Sequence, residues 1–283
     1  MSFNKIYQDK KDEFEKKLAT IFSGLGEIPS LLREAMAYSL LDGGKRIRPI
    51  LFLETFRMFR GIPTDEAYLF AASLECIHAY SLVHDDLPCM DDDDMRRGKP
   101  TNHIKFGQGV AVLAGDALLN LAYELIFDAI KSSDNTDLFV KAASFFAARM
   151  GARGLIAGQI ADITADDHLS SEEVQFIFHH KTGAIISAAC VCGAIIGGAT
   201  KDEIAHMLKF ADNFAFAFQV RDDILDRKEK DDAVSFVKVY GLTRATQTLG
   251  DSTQQAQAAL DKLKGKNTEF LRELTMKFAT RKE

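Results

Sequence analysis

Residues 204–226 read IAHMLKFADNFAFAFQVRDDILD. Ile204, Met207, Leu208, Ala211, Phe214, Ala215 and Phe218 return every three or four positions, the period of a helix that buries one face. The four-residue step from Phe214 through Phe218 continues to Asp222 and Asp226, so a stripe that begins apolar ends in carboxylates. The same spacing recurs at Phe14, Leu18, Ile21 and Phe22, and again at Phe270, Leu271, Leu274 and Phe278. No segment alternates with the period of a strand. Only five prolines interrupt 283 residues, and the abundant Ala, Leu, Glu and Lys favour helix. The chain is expected to be all-α.

Turn-forming residues cluster at Gly24 to Pro29, Asp42 to Pro49, Gly61 to Thr64, Pro88 to Gln108, Ser132 to Thr136, Asp166 to Ser170, Arg227 to Ser235 and Gly265 to Thr268. About ten or more helices fit between them. No repeat of fixed period and no linker rich in Pro, Ser or Gly divides the chain, so residues 1–283 are expected to form one domain, with its chemistry on side chains projecting from facing helices.

Hydrophobic residues make up 47% and charged residues 27% of the chain, enough apolar content for a large core. A net charge of −6 and the lack of any long basic block argue against a nucleic-acid partner. Cys76, Cys89, Cys190 and Cys192 follow no zinc spacing, and the opening MSFNKIYQDKKDEFEKKL is too charged for a signal peptide. A reduced, cytoplasmic setting is expected. Thr182 to Thr200 carries no charge and approaches the length of a membrane span. It is built mainly of Ala, Gly, Ser and Cys, which reads as a helix buried on all sides.

Two acidic clusters stand out. SLVHDDLPCMDDDDMRRG (81–98) holds Asp85, Asp86 and Asp91 to Asp94; FQVRDDILD (218–226) holds Asp222, Asp223 and Asp226. Each ends a long apolar helix, and His78, Ser81 and Asp85 fall on about one face of the first. A single aspartate run is usually a solvated surface. If two runs converge, each close carboxylate pair repels by roughly 4 kcal/mol at about 4 Å and an effective dielectric near 20, a large share of a protein's stability. Hard divalent cations relieve that repulsion. Mg²⁺ takes one or two carboxylates and completes its shell with phosphate oxygens and water. An EF-hand is excluded, because the alternating Asp/Asn ligands, central Gly and closing Glu are missing.

Basic residues complement the acidic ones. Arg96 and Arg97 follow the first cluster, Lys45, Arg46 and Arg48 stand in DGGKRIRP, and Lys181 opens KTG. Gly43 and Gly44 permit a tight backbone before Lys45, and arginine offers a fork that matches phosphate oxygens. One diphosphate held through metal and a second held directly by Lys and Arg suit two anionic substrates side by side, with apolar stripes for hydrocarbon tails. Departure of an allylic diphosphate leaves a carbocation, which calls for Lewis-acid help, dipolar or aromatic stabilisation and exclusion of water. The 21 Phe residues and absence of Trp fit such a lining.

LLDGGKRIRPIL, IHAYSLVHDDLPCMDDDDMRRGKPT, AGDALL, GQIAD, KTGAI and FQVRDDILD, in this order over nearly the whole chain, resemble the trans-isoprenyl diphosphate synthases, especially the bacterial farnesyl diphosphate synthases. The resemblance implies a bundle of helices around a central cavity, a homodimer and several Mg²⁺ ions. It assigns Asp85, Asp86, Asp91, Asp222, Asp223 and Asp226 to metal, and Arg96 and Lys181 to the allylic diphosphate. Lys45, Arg48, His78 and Arg97 match the isopentenyl diphosphate site, and Thr182 and Gln219 the reaction centre. Pro88 and Cys89 match an insertion typical of the bacterial type. Tyr80 lies five residues before Asp85, about 7.5 Å along a helix axis; with Ser81 it matches the chain-length positions, where a bulky ring accompanies short products. The implied reaction joins isopentenyl diphosphate to dimethylallyl or geranyl diphosphate and stops at farnesyl (C15), the alternative being geranylgeranyl (C20).

One segment departs from the family. KEKDDAVSFVKVYG (228–241) is shortened where a lid lysine is usual; Ala233 falls near that position, with Lys228, Lys230 and Lys238 as substitutes. Three other functions are weaker on the residues. A His-Asp metal hydrolase would use His84 and Asp85 but needs further spaced histidines. A silent modulatory subunit would be expected to have lost an aspartate motif. A terpene cyclase has no use for the second diphosphate site at DGGKRIRP.

Overall fold

The computed structural model describes residues 2–165, 169–226 and 235–281. They are helical almost throughout, with a single two-stranded hairpin, as the spacing predicts. Two compact units divide the chain: Met1–Leu53 with Pro63–Phe139, and Glu54–Ile62 with Val140–Glu283.

The first unit contains α1 (Phe3–Ser23), α2 (Ser30–Leu40), the start of α3 (Ile47–Arg60), α4 (Asp65–Asp85), the hairpin β1 (Met95–Arg96) and β2 (Lys99–Pro100), α5 (Asn102–Phe106), α6 (Gln108–Ser132) and the start of α7 (Thr136–Met150). Thr64 caps α4, accepting from the Ala67 N–H, and Asp65 and Glu66 sit in its positive first turn. Buried residues then run along α4 on every side, from Ala67 to Asp85. Its main partner is α6, and Phe52, Phe70 and Phe139 fill the space beside it with ring centroids 5.2 and 6.4 Å apart. The helix ends at Asp85, which leads into the acidic run at 91–94.

The second unit holds the rest of α3 and α7, then α8 (Leu155–Ile163), α9 (Ser171–His180), α10 (Thr182–Ile196), α11 (Lys201–Asp226), α12 (Phe236–Asp261) and α13 (Glu269–Thr280). A capping box of Ser170 and Glu173 starts α9. In α10, 13 residues are buried, so the uncharged stretch that begins at Thr182 is a core helix. It is short because Lys181 breaks the chain from α9 and Gly197 ends it; taken together, α9 and α10 bend by 44°. By length and composition alone α6 is also apolar enough to cross a membrane. Beneath α11, Phe178, Phe216 and Phe236 pack with centroids 5.6 to 6.4 Å apart, inside a cluster that includes Val174, Val220 and Leu249.

Two breaks differ from expectation. Pro49 lies inside the first turn of α3, where the missing N–H costs no hydrogen bond. Gly241 interrupts α12 with φ 77° and ψ 161°.

Candidate active site

Backbone hydrogen bonds fold the first aspartate motif onto the end of α4. The Asp91 N–H donates to the Asp85 carbonyl at 2.8 Å, and the N–H groups of Met90 and Asp92 donate to the Leu87 carbonyl at 2.8 and 3.2 Å. Asp92 accepts φ 53° to complete the turn. Asp91, exposed, is thereby set beside Asp85, which is only 8% exposed. Asp86 turns the other way. Its Oδ1 accepts from Arg96 Nε at 2.7 Å and lies 2.5 Å from Nη2, while Asp93 lies 3.4 Å from the same guanidinium. Asp86, which the resemblance assigns to metal, is paired with Arg96 in this structure.

The β1–β2 hairpin carries Arg97 back to DGGKRIRP. Arg97 Nη1 donates to the Gly43 carbonyl at 3.2 Å, and its guanidinium lies flat on Gly44, where a Cβ would come within 2.9 Å of Cζ. No other residue leaves that space. Lys45 is exposed nearby and Arg48 half-buried, its Nε buried without a hydrogen bond. Burial lowers the Arg48 pKa to about 10, against the pull of Glu75 and with a push from Arg97. His78 is held neutral: burial lowers its pKa well below the usual value, and Arg48, Arg97, Arg96 and Arg46 add to the effect. Arg48, His78 and Arg97 thus lie within one another's electrostatic reach, with Lys45 exposed on the adjoining turn. Arg46 turns inward, to Glu75.

Tyr80 is 7% exposed, its ring edge-on to His84 at 5.9 Å. Burial, then Tyr123 and Asp85, push its hydroxyl up to about 12. Ser81 donates to the His78 carbonyl at 3.0 Å. His84 points to α6, with Nε2 3.1 Å from the Val112 carbonyl, and so takes no part beside Asp85.

In the second unit, Thr182 Oγ1 donates to Gln219 Oε1 at 2.9 Å, and Gln219 Nε2 donates to Asp223 Oδ1 at 3.2 Å. Asp223 Oδ2 accepts from the Phe236 N–H at 2.6 Å, tying the end of α11 to the start of α12. Burial raises the Asp223 pKa to about 6, partly offset by these hydrogen bonds. Asp222 pairs with Arg281, whose carbonyl accepts from Arg221 Nε at 2.9 Å and whose guanidinium lies 4.4 Å from the centre of the Phe218 ring. Asp226 is exposed one turn on. Phe214 and Phe218 pack on Phe278 of α13 at 6.1 and 5.3 Å, Phe214 fully buried and Phe218 partly exposed. Lys181 Nζ meets Asp162 Oδ2 of GQIAD at 2.5 Å. Gly158 makes this possible, since a Cβ there would lie 2.3 Å from the Lys181 nitrogen. Lys228, Lys230 and Ala233 lie outside the described residues; Lys238 is exposed in α12.

Among the described residues, no three His, Cys, Asp or Glu side chains form a ready cage for a metal. Carboxylates come instead in pairs, Asp85 beside Asp91 and Asp222 one turn from Asp226. Such pairs fit Mg²⁺, which leaves most of its shell to diphosphate and water.

Residues 29–241 match the polyprenyl synthetase family. The chain belongs to the polyprenyl synthetase family. It is a prenyltransferase of the trans-isoprenyl diphosphate synthase type. The farnesyl diphosphate synthase of Geobacillus stearothermophilus is 41% identical over 227 residues, covering 80% of this chain and 76% of that protein. Two chloroplastic proteins of Arabidopsis thaliana, a heterodimeric geranylgeranyl pyrophosphate synthase large subunit 1 and geranylgeranyl pyrophosphate synthase 11, are 42% and 44% identical. The matches cover 82% and 80% of this chain, and 67% and 64% of those proteins. Among solved structures, a geranyltransferase from Legionella pneumophila superposes with a TM-score of 0.91 at 28% identity, covering 99% of this chain and 97% of that one. An FPP/GFPP synthase from Zymomonas mobilis gives 0.86 at 31%, covering 95% and 97%.

Proposed function

We propose that this polyprenyl synthetase condenses isopentenyl diphosphate with dimethylallyl and then geranyl diphosphate, releasing diphosphate each time and ending at (2E,6E)-farnesyl diphosphate. The observation that carries the reading is the pair of sites on α4. The cationic group of Lys45, Arg48 and Arg97 around neutral His78 stands about 10 Å, by helical rise, below the carboxylates at Asp85. One diphosphate fits the cations without metal and the other fits the carboxylates with it.

In the proposed reaction Lys45, Arg48 and Arg97 hold isopentenyl diphosphate, and His78, neutral, donates one hydrogen bond without adding charge. Asp85, Asp91, Asp222 and Asp226 would hold Mg²⁺, with Asp223 supporting the second motif. Bound Mg²⁺ supplies Lewis-acid neutralisation of the leaving diphosphate. Arg96 and Lys181, both paired with carboxylates in this structure, bind oxygens of the allylic diphosphate as its C1–O bond breaks and the electron pair leaves with it. The carbonyl oxygen of Gln219, fixed by Thr182, presents a negative dipole to the allylic cation. The double bond of isopentenyl diphosphate then attacks C1, and the adduct passes a proton to the departed diphosphate, forming the new double bond and a neutral chain.

The buried Tyr80 ring supports the C15 product, since it places bulk on α4 below the rim. The geranylgeranyl relatives favour a second reading, C20. Incubation with isopentenyl diphosphate and either dimethylallyl or geranyl diphosphate, with Mg²⁺ or with chelator, tests both. Metal-dependent C15 supports the proposal, C20 replaces Tyr80 as the length determinant, and no condensation defeats the reading.

A further inference from the structure

Arg46 is the most deeply buried basic residue of DGGKRIRP. It is 4% exposed, with Nη1 2.6 Å from Glu75 Oε1 and Nε 3.4 Å from Glu15 Oε1. Glu75, 3% exposed, is a lone carboxylate in the apolar run of α4 and lies one turn below His78. Arg46 also adopts φ 51°, a left-handed conformation rare for a residue with a side chain. Gly43 and Gly44, just before it, have φ 76° and 100°. Left-handed residues this close together turn the chain sharply, and within this turn Arg46 is buried while Lys45 is exposed and Arg48 half-buried. The Lys45 carbonyl is fastened in turn by the Tyr7 hydroxyl.

This arrangement is expensive for stability alone. A buried ion pair seldom outweighs its desolvation cost, Glu75 Oε2 is buried without a hydrogen bond, and a left-handed backbone at a residue with a side chain is itself strained. Features of this kind persist where they position something.

We propose that Arg46 and Glu75 are positioning residues for the metal-free diphosphate site: their buried pair, braced by Glu15, locks the left-handed turn that aims Lys45 and Arg48 at one anion. Glu75 also supplies a buried negative charge beside both Arg46 and Arg48. This rests on Lys45, Arg48, His78 and Arg97 forming the isopentenyl diphosphate site.

The test compares wild type with the double variant Arg46→Met/Glu75→Leu, which replaces the pair by apolar groups of similar size and should fold. The expected result is a KM for isopentenyl diphosphate raised about tenfold or more, with the allylic KM within about twofold and an unchanged helical spectrum. Glu75→Gln, which keeps shape and one acceptor, is the second variant, and the same split with a smaller rise is expected. Should the double variant fail to fold, Glu75→Gln alone decides. KM values that stay unchanged, or that rise together, overturn the proposal while leaving the condensation reading intact. If wild type gives no condensation, that reading falls, and calorimetric titration with inorganic diphosphate in chelator decides the proposal separately. Binding weakened about tenfold in the double variant supports it; equal binding, or none by wild type, overturns it.

Discussion

DDLPCMDDDD at the end of α4 and DDILD at the end of α11 carry the same side chains but are held in different ways. The first closes on itself. Asp91 returns to the Asp85 carbonyl, and Arg96, ten positions from Asp86, supplies the cation. The second is held by distant chain: Phe236 donates to Asp223 across 13 positions, and Arg281 reaches Asp222 across 59. A local motif forms its geometry as soon as its helix does, whereas a non-local one depends on the packing of α12 and α13. Damage far away in sequence should therefore disturb the second motif and spare the first.

The largest effect expected is common to both. Asp85→Ala and Asp222→Ala should each lower kcat by about a thousandfold, the several kcal/mol a Lewis acid contributes, with the helical spectrum kept; near-normal turnover for either would remove it from the metal set. Tyr80→Ala belongs to the first unit alone. It should cost about 3 kcal/mol in denaturant midpoint stability and lengthen the product, and an unchanged chromatogram would separate Tyr80 from chain length.

Next come the two internal cations. Arg96→Met leaves the buried Asp86 unpaired and should lower stability by about 1–2 kcal/mol, since the guanidinium is partly solvated. Arg281→Met should cost less, because Asp222 retains solvent. It should also lower the Mg²⁺ concentration for half-maximal activity, as a competitor for Asp222 is gone. If the two variants behave alike, the local and non-local motifs are not distinct in the sense drawn above.

The smallest effect is in pH dependence. Asp223 titrates near 6 when folded, above its usual 3.8. Between those values the folded state binds the extra proton, so this group's contribution to stability falls as pH rises from about 4 to 6 and stays low above. In metal-free buffer, Asp223→Asn should flatten that part of the Tm profile. A profile parallel to wild type would mean that Asp223 does not carry it.

Most of the fold was legible because its signal is periodic: the stripe from Ile204 to Phe218 is α11, and the uncharged run after Lys181 is the buried α10. The α7–α8 break at Gly151 to Gly154 was missed, although its two glycines, either side of Ala152 and Arg153, are a helix-breaking signal. The two acidic motifs lie at the ends of α4 and α11, because their place along one element is set by helix spacing. Their partners did not. Arg281, Asp162 and Glu75 lie tens of residues from what they bind, and spacing says nothing of such pairs. Glu75 alone gave a usable signal, as a single charge within FAASLECIHAY that could not be buried without a partner.

Arg96 on Asp86 and Arg281 on Asp222 leave one further consequence. Each acidic motif carries its own arginine, so the protein stripped of divalent ions is not left with naked, repelling carboxylates. Dialysis against chelator should yield a folded, storable protein that regains turnover on adding salt of the metal, unlike a zinc finger, whose fold and ion are inseparable. The energy of metal capture is then free to go into gripping substrate, and the ion can come and go with each diphosphate.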